Sequence, residues 1–271
     1  MRGNAAQVAE REEHTRNPPM TWDSLRVRVN DFAIRSFRDS ADRDYICARM
    51  AFRARLTPQF LWASLQAIEK YFKCIHVLNR VPLPKQRGLG HNLSALYDLT
   101  TRECFDVRLS EGSKKLIEHL DNYGRFRYLE IPWHVLGYER FDLDRAVWEI
   151  RRYCRVFPGN TRQEELAGIE HSAAHPPHRF RLEGGLLEKI LTDKKHPARR
   201  ALIWQNYHFA SRTRKRVRVG GMHFENAPLS LYPEMLDDVC KYAYLPQAVV
   251  EAYKKDLAAR VKDGSVRVLL P

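Results

Sequence analysis

Two adjacent amphipathic segments, residues 44–56 and 59–73, constrain the fold of this chain more than any other feature. In both, apolar residues recur at intervals of three and four, which places them along one face of an α-helix. The inward positions are Tyr45, Ala48, Phe52 and Leu56 in the first helix and Leu61, Leu65, Ile68, Phe72 and Ile75 in the second. The second helix can begin at Pro58, because proline is tolerated in a first helical turn, and should reach about Asn79. Two such stripes joined by a tight turn bury each other, so the sequence predicts a helical hairpin.

Three more helical patterns follow the hairpin. The expected helices span residues 91–100, 110–120 and 141–157, with Ser110 or Ser113 as the N-cap of the second. The third has one apolar stripe, made of Leu143, Ala146, Val147, Ile150 and Cys154. Together the patterns predict an all-α or mostly α-helical fold, with an up-down bundle of four or five helices over residues 40–157.

The bundle is flanked by two segments of different composition. Residues 1–39 combine a flexible polar arm with a mixed lead-in over 21–38 that fits either a strand or an extended segment, and Ser40 then supplies an N-cap. Pro158-Gly159-Asn160 interrupts the helical pattern, so we place a domain boundary there. Beyond it lies a basic, partly helical C-terminal region over 158–271, with expected helices over 185–191, 198–209 and 246–261.

Charge gives the first indication of function. The 271 residues carry a formal net charge of +13, which favours a polyanionic partner. The expected ligand is therefore a nucleic acid, RNA before DNA, or a nucleotide. No apolar stretch approaches the ~20 residues that cross a bilayer, so we expect no membrane partner. The five cysteines form no Cys-x-x-Cys pair, which fits reduced thiols in a soluble cytoplasmic protein.

Four short motifs carry a resemblance to a known family. They are Asp44-Tyr45 with Ala48-Arg49, the segment Gln66-Ala-Ile-Glu-Lys-Tyr-Phe-Lys73, Gly90-His91-Asn92-Leu93, and Tyr123-Gly-Arg-Phe-Arg-Tyr128. In order and spacing they resemble the HEPN domains, over residues 40–157. The resemblance implies a homodimer and a possible nucleotidyltransferase partner, as in toxin–antitoxin pairs. The C-terminal half resembles no family known to us.

Catalytic HEPN proteins are metal-independent endoribonucleases that use an Arg and a His with four to six residues between them. The His exchanges a proton with the RNA 2′-hydroxyl, and the Arg stabilises charge at phosphorus. Two pairs have this spacing, Arg127 with His134 and Arg218 with His223, and Arg87 with His91 is one residue too short. Proline or glycine interrupts each of the three. We therefore predict a noncatalytic nucleic-acid or nucleotide-binding protein. The alternatives are an endoribonuclease, as a toxin or antiphage effector, and a protein-interaction scaffold.

The strongest basic run lies in the C-terminal region. In an extended chain, Arg212, Arg214, Arg216 and Arg218 project from one face and form a row of cations that suits phosphates. The predicted nucleic-acid site adds three further cations, Lys215, Arg199 and Arg200. A solvated loop or a charge-protected edge strand remains the alternative.

No motif calls for a cofactor. His171-Ser-Ala-Ala-His175-Pro-Pro-His178 places three imidazoles close enough to bind zinc or nickel, but a surface loop is the favoured interpretation. We find no glycine loop that binds phosphate and no dinucleotide fingerprint. We expect neither a metal nor a cofactor.

Overall fold

The predicted hairpin forms the centre of the fold. The computed structural model describes residues 22–125, 130–173, 182–209 and 221–263. Helices α2 (Asp39–Arg53) and α3 (Thr57–Leu78) are the two arms of the hairpin, and all five inward positions expected on α3 are buried. On the first arm Tyr45 and Ala48 are buried, whereas Leu56 is exposed because α2 has already ended and Arg55 adopts a left-handed turn, with φ at 61°.

The chain is helical before the hairpin as well. Helix α1 (Trp22–Phe32) continues through a π-helical turn (Ala33–Arg38) directly into α2. The strand or extended lead-in expected here is therefore wrong over residues 22–38, and Ser40 lies inside a helix instead of capping one. The physical reason is tertiary packing: Ala33 is fully buried and Phe37 packs on the core, which outweighs the strand propensity of the valines in α1.

Three helices pack around α3 to complete the bundle. They are α5 (Leu93–Glu103), α6 (Glu111–Tyr123) and α7 (Glu139–Arg151), and a short helix, α4 (Leu83–Gln86), precedes them. Asn92 caps α5, and of the two serines expected to cap α6 it is Ser110 that does so. Helix α7 ends six residues before the predicted position, but Cys154 beyond it stays buried. The expectation of a mostly α-helical fold is confirmed.

Residues 182–209 pack on the same hydrophobic core as the hairpin. The region after the bundle forms α8 (Arg162–Ala173), α9 (Leu186–Thr192) and α10 (Arg199–Ile203). Leu187, Leu202 and Phe209 are buried in the bundle core. Helix α10 stops earlier than expected because Gln205 takes a left-handed conformation, with φ at 48°. The domain boundary predicted at residue 158 stays a prediction.

A buried arginine joins the hairpin to α7 and to this later segment. Arg49 forms an ion pair with Asp144, and its guanidinium also donates to the carbonyl oxygens of Ala201, at 2.9 Å from Nε, and Trp204. The hydroxyl of Tyr45 donates to the same Asp144 carboxylate at 2.6 Å. Because a buried charge needs such partners, the network specifies how residues 199–206 sit on the bundle.

The described strands form one small antiparallel sheet. Strand β1 (Trp133–Leu136) pairs with β2 (Met222–Glu225), so that His134 lies opposite Phe224 and Val135 opposite His223. After β2 the helices α11 (Pro228–Leu231), α12 (Leu236–Tyr242) and α13 (Gln247–Lys262) surround a second small cluster. The hydroxyl of Tyr253 donates to the Glu130 carbonyl oxygen at 2.7 Å and so ties α13 to the residues just before β1. In the described part of the chain, none of the helices has both the length and the apolar character needed to span a membrane.

Candidate functional site

An arginine-lined cavity of about 600 Å³ lies between α1 and the C-terminal end of α3. Its third wall is the segment that joins α7 to α8. The polar lining consists of Arg26, Asn30, Asn79, Arg80, Arg155 and Arg162, and the apolar lining of Leu25, Val29, Leu78, Val156 and Phe157. No histidine, cysteine or carboxylate is among the described residues that line it.

The turn after α3 builds the centre of the cavity. Asn79 ends the helix and donates from Nδ2 to the Ile75 carbonyl oxygen at 2.8 Å. Arg80 follows in the left-handed region, with φ at 59°, which carries its side chain toward α1. There its guanidinium donates to the Asn30 side-chain oxygen at 2.8 Å and to the Arg26 carbonyl oxygen at 3.2 Å. Arg80 therefore fixes the spacing between the two helices that form the cavity.

Three of the four arginines of the cavity have no carboxylate partner among the residues that the structure describes. Arg80 bonds only neutral oxygens, including the Val77 carbonyl at 2.7 Å, and Arg162 donates to the Cys104 carbonyl at 2.8 Å. Among the described residues, Arg26, Arg80 and Arg162 form no ion pair with a carboxylate. Partial burial and the neighbouring Arg26 charge lower the pKa of Arg80. Bringing an anion into the cavity relieves this repulsion between like charges.

The fourth arginine of the cavity differs from the other three. Arg155 forms an ion pair with Glu165 on α8, at 3.1 Å. Its charge is partly neutralised, so Arg26, Arg80 and Arg162 dominate the electrostatics. The apolar side chains of the lining, Phe157 among them, offer surface to an uncharged part of the same ligand.

His91, one of the candidate catalytic residues, is paired with a carboxylate. Its Nδ1 donates to Glu69 Oε2 at 2.6 Å, and Glu69 is buried and also accepts from Lys73. The imidazole is about half exposed and meets the Trp62 ring edge to face, at 5.6 Å. No hydrogen bond or ion pair joins Arg87 to His91 in the described part of the chain. The structure therefore brings Glu69 to His91, where the sequence motif suggested an arginine.

His134 lies in an unexpected cluster. Its ring centroid is 4.7 Å from that of His119 and 4.8 Å from that of Tyr123. His119 donates from Nε2 to the His134 carbonyl oxygen at 3.1 Å, and the same nitrogen lies 3.6 Å from the buried Glu139 carboxylate. Burial, with the neighbouring His134, lowers the pKa of His119 to about 4, and burial raises the pKa of Glu139 to about 7. The sequence signal was available, since His119 and Tyr123 are one helical turn apart on α6.

The remaining predicted site residues are distributed as follows. His223 is half-buried on the sheet face that it shares with Val135. Arg199 donates from Nε to the Leu191 carbonyl oxygen at 3.2 Å, and Arg200 is exposed. Arg127 and the basic run Arg212, Arg214, Lys215, Arg216 and Arg218 lie outside the described residues, so these candidates stay predictions.

Metal ligation has no support in the part of the chain that the structure describes. No three side chains of histidine, cysteine, aspartate or glutamate are grouped there so that they would hold an ion. His175 and His178 of the histidine-rich segment lie outside the described residues.

Comparison with known proteins identifies no relative. No protein-family model, curated protein or solved structure matches the chain. The HEPN resemblance therefore rests on the sequence motifs alone.

Proposed function

We propose that the protein is a noncatalytic binding module for a nucleoside phosphate, either free or as the terminal nucleotide of an RNA strand. The arginine-lined cavity is the proposed site. The observation that carries this proposal is that three arginines around one cavity, Arg26, Arg80 and Arg162, form no ion pair among the described residues. Guanidinium groups match the geometry of phosphate oxygens, because two parallel N–H donors reach two oxygens at once.

The size and the mixed lining of the cavity favour a nucleotide over a bare anion. Its volume of about 600 Å³ falls within the range of small-ligand sites. Inorganic phosphate would use only the arginines. A nucleoside phosphate would also place its base against Leu78, Val156 or Phe157. The lack of acidic or imidazole side chains in the described lining supports binding without chemistry, since general acid–base catalysis needs such a group.

The identity of the ligand is tested by titrating the wild-type chain with five probes. Isothermal titration with AMP, adenosine and inorganic phosphate separates the contributions of base and phosphate. We expect AMP to bind at least tenfold more tightly than either fragment. A short RNA with a 5′-phosphate and the same RNA with a 5′-hydroxyl then distinguish an RNA end from a free nucleotide. Equal binding of adenosine and AMP would contradict the proposal, because the arginines would then contribute nothing.

One observation favours a second candidate function, the metal-independent endoribonuclease. The contact between Glu69 and His91 orients a half-exposed imidazole, as carboxylates do for catalytic histidines. Incubating the chain with RNA in the presence of chelator tests it. Cleavage that is lost in His91→Ala and in Glu69→Gln, with the fold retained, would favour the nuclease. We expect no cleavage, since no arginine accompanies His91 among the described residues.

Two partner predictions extend this proposal. The HEPN resemblance implies a homodimer and a possible nucleotidyltransferase partner. Light scattering at several protein concentrations tests the first, and a monomer throughout would remove it.

A further inference from the structure

The asparagine that ends α3 holds its side chain in one orientation. Asn79 Nδ2 donates to the Ile75 carbonyl oxygen at 2.8 Å, and the backbone N–H of Asn79 donates to the same oxygen at 3.0 Å. Turning the amide over would give up the first of these bonds and would place two oxygens against each other. The partner therefore fixes which end of the amide remains for a ligand, and that end is the acceptor Oδ1.

Asn79 Oδ1 is an unfilled acceptor in a cavity whose other polar side chains mostly donate. The four lining arginines have donors and no acceptor. The second lining asparagine, Asn30, already accepts from Arg80 through its own Oδ1. Among the residues that the structure describes, no group donates to Asn79 Oδ1. A ligand that covers this half-buried residue removes the oxygen from water, so the ligand itself has to supply a donor.

The position of Asn79 in the lining indicates which part of the ligand supplies that donor. Asn79 directly follows Leu78, which belongs to the apolar lining together with Val156 and Phe157. A base that packs on this lining turns its polar edge toward the neighbouring amide. The exocyclic amino group of adenine is a donor on that edge. Hypoxanthine carries an oxygen at the same ring position, which would meet Oδ1 as a second acceptor.

We propose that Asn79 is the specificity-determining residue of the arginine-lined cavity and that it selects adenine nucleotides through the exocyclic amino group of the base. This inference rests on the proposed function, the binding of a nucleoside phosphate, and adds the identity of the base. The arginines bind the phosphate of any nucleotide. Asn79 discriminates between bases because its amide is held by Ile75 and does not turn to present a donor instead.

Isothermal titration of the full chain with AMP, IMP and 2′-deoxy-AMP tests the inference. IMP has the charge and ring system of AMP but an oxygen in place of the amino group. We expect IMP to bind about tenfold more weakly than AMP, the effect of one acceptor left without a donor. We expect 2′-deoxy-AMP to bind like AMP, because the ribose 2′-hydroxyl is not the donor.

Two variants assign the preference to a residue. Asn79→Leu removes the acceptor, so AMP should then bind as weakly as IMP. Asn122→Leu is the matched control, because Asn122 is exposed on α6 and does not line the cavity. It should keep the tenfold preference for AMP. A preference for AMP that persists in Asn79→Leu would overturn the role of Asn79. The comparison of AMP with IMP on the wild type stands even where Asn79→Leu fails to fold.

The remaining outcomes separate this inference from the proposed function. Equal binding of AMP and IMP to the wild type, with both weakened by Arg26→Glu, would overturn base selection and leave nucleotide binding in place. Equal binding of AMP and IMP with weaker binding of 2′-deoxy-AMP would also overturn it, since Asn79 would then accept from the ribose. Binding of none of the three nucleotides would contradict the proposed function itself.

Discussion

The Arg80 guanidinium donates to the Asn30 side-chain oxygen at 2.8 Å, across the gap between the end of α3 and helix α1. This contact closes the proposed site on one side without cancelling its charge, because an amide oxygen is neutral. A carboxylate at position 30 would hold Arg80 equally well and would neutralise it.

We therefore expect Asn30→Asp to weaken ligand binding while leaving the stability of the fold nearly unchanged. The substitution keeps the shape of the side chain and converts the contact into an ion pair. We expect the free energy of unfolding to change by less than about 1 kcal/mol, as for other exposed pairs. We expect affinity for AMP to fall about tenfold, because the added negative charge repels phosphate. Calorimetry and urea unfolding measure the two effects, and an unchanged affinity would show that Arg80 does not meet the ligand.

The buried Glu139 carboxylate should make stability fall as pH rises. Its pKa is about 7 in the folded state and 4.5 ordinarily, so between these values the folded state binds the proton and the unfolded state does not. Because the folded pKa is the higher one, the contribution is present at low pH and is lost as pH rises to about 7. Glu139→Gln removes it. We compare the free energy of unfolding of this variant with that of the wild type at two pH values. The difference should be roughly 2.5 kcal/mol more in favour of the variant at pH 8 than at pH 5, since one pKa unit is worth about 1.36 kcal/mol.

The contribution of His119 to stability has the opposite pH dependence, and it does not disturb the comparison of wild type with Glu139→Gln. Its pKa is about 4 in the folded state against 6.5 ordinarily, so its contribution is lost as pH falls from about 6.5 to 4. In the folded state the imidazole of His119 is therefore mostly neutral between pH 5 and pH 8, so the difference between wild type and Glu139→Gln over this range reports the titration of the carboxylate. Urea unfolding at the two pH values gives the result. A stability difference that is the same at pH 5 and pH 8 would contradict the burial of an ionisable Glu139.

Removing only one partner of the ion pair between Arg49 and Asp144 should strongly destabilise the fold. Arg49→Met leaves the buried carboxylate without its cation, and we expect a loss of about 3–5 kcal/mol. Amide hydrogen exchange should quicken first in residues 199–206, because Arg49 binds the carbonyl oxygens of Ala201 and Trp204 in this segment. The double variant Arg49→Met/Asp144→Leu is the control and should recover most of the loss. A double variant as unstable as the single one would mean that the pair itself, and not the unpaired charge, stabilises the fold.

The sequence predicts the hairpin well because the apolar residues that recur at helical spacing are the same residues that pack in the core. Leu61, Leu65 and Ile68 recur at helical spacing and are all buried on α3. The sequence did not predict helix α1 because its apolar residues are also typical of a strand. The helix is stabilised by tertiary packing, which local sequence patterns do not report.

The candidate site could not be predicted from local sequence patterns. Arg26, Arg80 and Arg162 are separated by more than fifty residues each and match no motif. The pairing of Glu69 with His91 likewise spans 22 residues and depends on how α3 meets the start of α5. Only the fold brings such residues together.

A comparison of two charge reversals on α1 tests the proposed function most directly. Arg26→Glu changes a cavity residue, and Arg28→Glu changes an exposed residue that does not line the cavity, so both variants have the same formal net charge. Titrated with AMP at low salt, the wild type and Arg28→Glu should bind with similar affinity, and Arg26→Glu should bind at least tenfold more weakly. Equal weakening in both variants, or no binding by the wild type, would contradict nucleotide binding in the arginine-lined cavity.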